Sequence, residues 1–169
     1  TAAHPYAFLA VPTLAEAAEI SHTNPELFYM PKQPRLGKYN FEHGDVLYMI
    51  EERPEDQWLG YEPFGSPNHD IQSTEGMFDR LRRDEDYSVN ETAYSRARIF
   101  DMLIGDWDRH NDQWRWAEIE MENGDKYFEP IPRDRDQVFS NFDGILFNIL
   151  RATVGETKKF AVYGEDIEN

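Results

Sequence analysis

Two short acidic stretches hold the residue types best suited to chemistry: Asp106-Trp107-Asp108-Arg109-His110-Asn111-Asp112-Gln113 and Arg133-Asp134-Arg135-Asp136. Carboxylate oxygens and the side-chain carbonyls of Asn and Gln are the ligands that hard divalent cations select, and they need no Cys or His. A carboxylate held beside a hydroxyl can also orient it or take its proton. Acidic groups brought together repel unless something neutralises them. Two remedies are present: a bound cation, or the guanidinium groups of Arg109, Arg133 and Arg135. Charge runs also form solvated networks of surface ion pairs, so residue type alone leaves both readings open.

The elements around these stretches decide whether they meet. Asn90 is placed to cap a helix that runs from Glu91 toward Gly105. Its residues Ile99, Phe100, Leu103 and Ile104 are expected to face the core and to hold the first acidic loop from beneath. Gly105 stands where a helix commonly stops in a left-handed turn. Beyond the loop, Trp114 to Met121 and Lys126 to Ile131 flank Glu122-Asn123-Gly124-Asp125, and Asn-Gly between two such runs signals a β-hairpin at about 114–131. A two-residue Asn123-Gly124 turn pairs Glu122 with Asp125 and, counted down the ladder, Gln113 with Asp134. That register folds the two acidic stretches together at the open end of the hairpin.

The rest of the chain reads as support. Pro5 can open a helix through Tyr6, Leu9 and Leu14 that Pro12 kinks or restarts. Leu27-Phe28-Tyr29-Met30 and Val46-Leu47-Tyr48-Met49-Ile50 are expected to pair as strands. Arg53 to Asp70, with three Pro and two Gly, reads as an ordered loop. Ser73 or Thr74 caps a short helix to Arg83, with Met77, Phe78 and Leu81 on one side. The expected fold class is therefore α+β, with helices around a small antiparallel sheet.

Length and charge bound the function. At 169 residues the chain can form a single globular domain with a real core. The 33 acidic residues against 17 basic ones, a formal charge of -16, argue against nucleic acid and anionic membrane surfaces as partners. Divalent cations are the better partner. The absence of Cys excludes disulfides and thiolate zinc sites without fixing a compartment. No apolar run approaches the ~20 residues that span a bilayer. A start at Thr1, without Met or a signal-peptide pattern, reads as a piece excised from a longer chain, with 151–169 as a C-terminal extension.

Ile104-Gly105-Asp106-Trp107-Asp108-Arg109-His110 with Gln113 resembles the catalytic loop of atypical kinases of the protein-kinase-like fold: the spore-coat CotH type, the HipA toxin type, phosphoinositide kinases and secretory-pathway kinases. Pro130-Ile131-Pro132-Arg133-Asp134-Arg135-Asp136-Gln137-Val138-Phe139 resembles the CotH-type metal loop. The resemblance implies the C-lobe of a kinase-like fold and a metal-dependent phosphotransferase using Mg or Mn, with ATP as the possible nucleotide. It implies Asp108 as the carboxylate that orients or deprotonates an acceptor hydroxyl, supported by Arg109 and His110. It implies Asp134 as first metal ligand, then Asp136, with Gln113 where the family has a metal-binding Asn and Asp106 adding charge. The whole segment also resembles a central region of large bacterial envelope proteins that carry a metallophosphoesterase domain and an outer-membrane barrel, which implies a periplasmic or outer-membrane setting and adjacent domains as partners.

No Gly-x-Gly-x-x-Gly or Walker-type loop occurs to cover a nucleotide's phosphates, so transfer is expected only within the longer chain. The alternatives are a non-catalytic kinase-like scaffold and a Mg- or Mn-dependent hydrolase, since carboxylate clusters also activate water. His4, His22, His43 and His69 are scattered without zinc-ligand spacing. Trp107, Trp114 and Trp116 are expected in the core rather than in a ligand cage. Lys32 lies between Pro31 and Pro34, which disfavours a phosphate-binding lysine on a regular strand.

Overall fold

A computed structural model of the protein describes residues 4–106 and 108–140. The expectations for Trp107 and for the 151–169 extension lie outside the described residues. The fold is α+β. Its first part is a short 3-10 turn, Ala7–Ala10, leading into α1 (Val11–Ala17), with Pro12 in the first turn of α1 as the restart expected. Strands β1 (Glu26–Met30) and β2 (Val46–Ile50) then pair antiparallel, Glu26 opposite Ile50 and Met30 opposite Val46. The short helix α2 (Asn40–His43) sits in their connection.

The second sheet carries the acidic stretches. Its strands are β3 (Asp70–Ser73), β4 (Tyr87–Val89), β5 (Trp114–Glu120) and β6 (Lys126–Pro132), in the order β3-β5-β6-β4. The sheet is mixed, not antiparallel, because β4 runs parallel to β6. Helix α3 (Thr74–Arg83) explains this: it carries the chain back between β3 and β4 so that both point the same way, and the β5–β6 hairpin then fills the space between them. Ser73 caps α3 by accepting from the Gly76 N–H at 3.1 Å. Asn90 caps α4 (Glu91–Ile104) by accepting from the Ala93 N–H at 3.0 Å.

Both faces of the hairpin are covered. Trp114, Trp116 and Phe128 pack with Phe100 and Ile104 of α4, Val11 and Ala15 of α1, Met77 and Val138. The opposite face holds Ala117 and Ile131 against Phe64 and Ile71. Phe64 gives the Arg53–Asp70 loop its own buried anchor, and the 3-10 turns Asp56–Trp58 and Glu62–Phe64 with the Gly60 N–H to Pro67 carbonyl bond at 2.7 Å order its backbone. Each large side chain so buried contributes about 1.5–3 kcal/mol.

Two expectations about α4 and the hairpin are corrected. The buried face of α4 is Ala97, Phe100, Asp101 and Ile104; Ile99 is 66% and Leu103 80% exposed. Apolar residues occupy both sides of this helix, and a polar residue at 101 argues for the wrong one until its partners are known. The hairpin turn holds three residues, Glu122-Asn123-Gly124. Glu120 pairs with Lys126, the Met121 N–H donates to the Asp125 carbonyl at 2.8 Å, and Gly124 alone takes a left-handed φ of 92°. A two-residue type I′ turn needs positive φ at both centres, but Asn123 instead uses its Oδ1 to accept from the Asp125 N–H at 3.2 Å. The register therefore slips by one. Gln113 stands opposite Arg133, whose N–H donates to the Gln113 carbonyl at 3.0 Å.

Candidate metal-binding site

Gly105 ends α4 with φ 69°, and the next N–H, that of Asp106, turns back to the Asp101 carbonyl at 2.8 Å. This tight stop drives the Asp106 side chain inward. Beside it lies Asp101, fully buried, which accepts from three arginines. Arg98 Nη1 reaches it at 3.1 Å, Arg109 through Nε at 3.1 Å and Nη2 at 3.3 Å, and Arg135 through Nε at 3.2 Å and Nη2 at 3.0 Å. Arg109 Nη2 also donates to Asp106. Its Nη1 donates to the carbonyls of Arg133, at 2.6 Å, and of Gln113, at 3.3 Å. The guanidinium groups of Arg109 and Arg135 lie over the rings of Trp114 and Phe100.

The Arg109 side chain is 1% exposed and ties the helix end to both acidic stretches. This inner cluster sets three guanidinium groups against two carboxylates. Burial raises the Asp106 carboxyl from 3.8 to about 6; Arg109 and Arg135 pull it down, while Asp101 and Asp136 push it up. One oxygen of Asp106 and Nη1 of Arg135 have no hydrogen-bond partner among the described residues.

The remaining carboxylates are less deeply placed. Asp108 and Asp134 are half-buried and Asp136 is exposed. Although the residue as a whole is exposed, partial desolvation raises the Asp136 carboxyl; the hydrogen bond from Gln137 lowers it, and the charges of Asp134 and Asp108 raise it. Buried Gln113 bridges the stretches. Its Nε2 donates to Asp134 Oδ2 at 3.4 Å, and its Oε1 accepts from the His110 N–H at 3.4 Å. Gln113 and Asp134 are thus neighbours despite the slipped register, because the next residue past a strand end can reach across the ladder. His110 itself is exposed.

The predicted residues therefore divide. Asp108, Asp134 and Asp136 share one region, with Gln113 and His110 at its margin, while Asp106 and Arg109 belong to the buried cluster. Among the described residues no three carboxylate or imidazole groups already converge on one point. The donor set is all oxygen and suits magnesium or manganese, which keep several waters and take one or two carboxylates from protein.

Sequence reasoning missed two residues, Asp101 and Glu51. Asp101 was visible as a lone acid on an apolar helical face. Glu51 follows β2 and accepts from the Asp134 N–H at 3.2 Å across 83 positions, for which the sequence carries no local signal.

Comparison with family models, with curated proteins and with solved structures gave no match. Elsewhere, Trp114 and Trp116 are in the core as expected, and Lys32 is paired with Asp45 at 3.2 Å.

Proposed function

We propose that residues 106–136 form the metal and acceptor side of a metal-dependent phosphotransferase domain of the kinase-like type, working within a longer chain in the bacterial periplasm or outer membrane. The observation that carries this reading is the contact between Gln113 and Asp134 at 3.4 Å, at the place where Asp136 feels the charges of Asp134 and Asp108. Asp134 is the first ligand for Mg or Mn and Asp136 the second. Asp108 orients or deprotonates the acceptor hydroxyl. Gln113 steers Asp134, Arg109 holds the loop from within, Asp106 balances Arg109, and His110 supports the loop through its N–H, which donates to Gln113 Oε1. A magnesium or manganese ion there would neutralise phosphoryl oxygens of ATP, whose remaining contacts come from outside this segment.

The test is thermal unfolding in rising Mg or Mn, with and without ATP, for the parent chain and Asp134→Asn. The parent gains stability by mass action and the variant gains less. ATP adds little in the isolated chain. Equal shifts in parent and variant sink the metal reading.

A non-catalytic scaffold is the second reading, favoured by Arg109, whose nitrogens are all committed to Asp101, Asp106 and two carbonyls. Metal-independent stability with unchanged Asp134→Asn behaviour would support it.

A further inference from the structure

Asp134 is held in an unusual way. Its φ of 57° lies in the left-handed region, which Asp enters more readily than most side chains but in which its neighbours must still fix it if its carboxylate is to keep one direction. Past Pro132, the last paired residue of β6, the Arg133 N–H still donates to the Gln113 carbonyl at 3.0 Å and the Arg133 carbonyl accepts from Arg109 Nη1 at 2.6 Å, but neither contact holds the Asp134 N–H. A side chain does. The Asp134 N–H lies 3.2 Å from Glu51 Oε1 and 3.4 Å from Oε2.

Glu51 is itself fixed. Thr23 Oγ1 donates to its Oε2 at 2.8 Å, and Arg133 Nε lies 3.6 Å from its Oε1. Its neighbour Glu52 is tied down by the Asn24 N–H at 2.7 Å. Together these contacts fasten the end of β2 to the segment after α1, and they present one carboxylate to the turn that carries Asp134.

We propose that Glu51 is a positioning residue for the metal site: its carboxylate holds the left-handed turn at Asp134 so that the Asp134 side chain faces Gln113 and the shared region with Asp108 and Asp136. This rests on the reading of Asp134 as a metal ligand. It also gives the β1–β2 ribbon a role, since the ribbon's last turn becomes part of the site's outer support. The restraint is a hydrogen bond, so what Asp134 requires at position 51 is an acceptor of the right reach and not a charge. Partners that orient a ligand in this way typically account for roughly 10- to 100-fold in metal affinity.

The experiment is Mn titration by calorimetry of the parent chain, Glu51→Gln, Glu51→Asp and Asp134→Asn, with urea unfolding of each as a measure of folding. Glu51→Gln keeps an acceptor at the same reach and loses the charge, and its affinity stays within about threefold of the parent. Glu51→Asp keeps the charge and withdraws the acceptor by one methylene, and its affinity falls roughly tenfold or more while the chain remains folded. A merely structural role would not rank the two in that order. Parent-like binding by Glu51→Asp, or an equal loss in both Glu51 variants, overturns the proposal. The amide resonance of residue 134, read by NMR without metal, gives the independent check: it shifts upfield in Glu51→Asp, and an unmoved resonance overturns the proposal even if affinity changes. If Asp134→Asn binds Mn as the parent does, the metal reading fails and this one falls with it; if Asp134→Asn alone loses binding, only the role of Glu51 is refuted.

Discussion

Replacing Asp101 with Ala should be among the most damaging single changes in the protein. Asp101 is fully buried and accepts five hydrogen bonds from three guanidinium groups, two of them on side chains at most 4% exposed. Arg109 would keep Asp106 and two carbonyls. Among the described residues Arg135 donates to Asp101 alone, so truncation leaves a buried cation with no acceptor among them. Charged hydrogen bonds of about 1.5–3 kcal/mol each would overshoot if summed, because the remaining groups relax and water enters. Removing one partner of a buried ion pair costs ~3–5 kcal/mol, and that is the expected loss here. Against a total of about 5–15 kcal/mol, such a loss leaves the domain marginal. The assay is urea unfolding followed by tryptophan fluorescence. A cycle with Arg135→Met checks the cause: removing both charges should cost less than the two single losses added, by roughly 1–3 kcal/mol. A cost below about 1 kcal/mol for Asp101→Ala, or strict additivity in the cycle, would refute the argument.

Two further outcomes follow from burial. Leu103→Ala should change stability by no more than about 0.5 kcal/mol, whereas Ile104→Ala, one residue on and 3% exposed, should cost ~2–5 kcal/mol in the same unfolding assay. Asp106 should impose a pH dependence opposite to ordinary acid denaturation. Its folded carboxyl is raised from 3.8 to about 6, so between these values the folded state binds more protons than the unfolded one and stability declines as pH rises. At about 1.4 kcal/mol per pH unit the component is at most ~3 kcal/mol, complete above pH ~6.5. Asp106→Asn lacks it, so the stability of the variant relative to the parent should climb from pH 4 to pH 6.5; a flat difference shows that Asp106 is not shifted.

Local signals in the sequence were sufficient for most elements and failed where a tertiary partner decides. The caps at Ser73 and Asn90 and the stop at Gly105 were legible because each depends on residues within one turn. The hairpin was legible too, but its register was not. Asn-Gly fits both a two-residue turn and a three-residue turn with Gly in the left-handed position, and the choice fell to Asn123 bonding its own backbone. The parallel pairing of β4 with β6 had no signal at all, since a three-residue strand such as Tyr87–Val89 carries no period. On α4 the apolar pattern pointed to two faces. The one containing an aspartate turned inward because Arg98, Arg109 and Arg135 come from three different places in the chain to neutralise it.

The same reason limits how far the acidic loop could be read. Asp106, Asp108, Asp134 and Asp136 are alike as residue types, yet burial separates them into two sets with different chemistry. Asp106 faces Arg109 across a buried contact, where a metal ion would have to displace a guanidinium already held by two carboxylates and two carbonyls. Among the described residues Asp108, Asp134 and Asp136 have no such partner: Asp134 has the Gln113 amide and Asp136 the Gln137 amide as hydrogen-bond donors to their carboxylates. Like charges left beside one another with neutral donors are the ones whose repulsion a divalent cation can relieve. The arginines of this segment therefore neutralise the acids at one end of the loop and, among the described residues, leave those at the other end without a guanidinium partner.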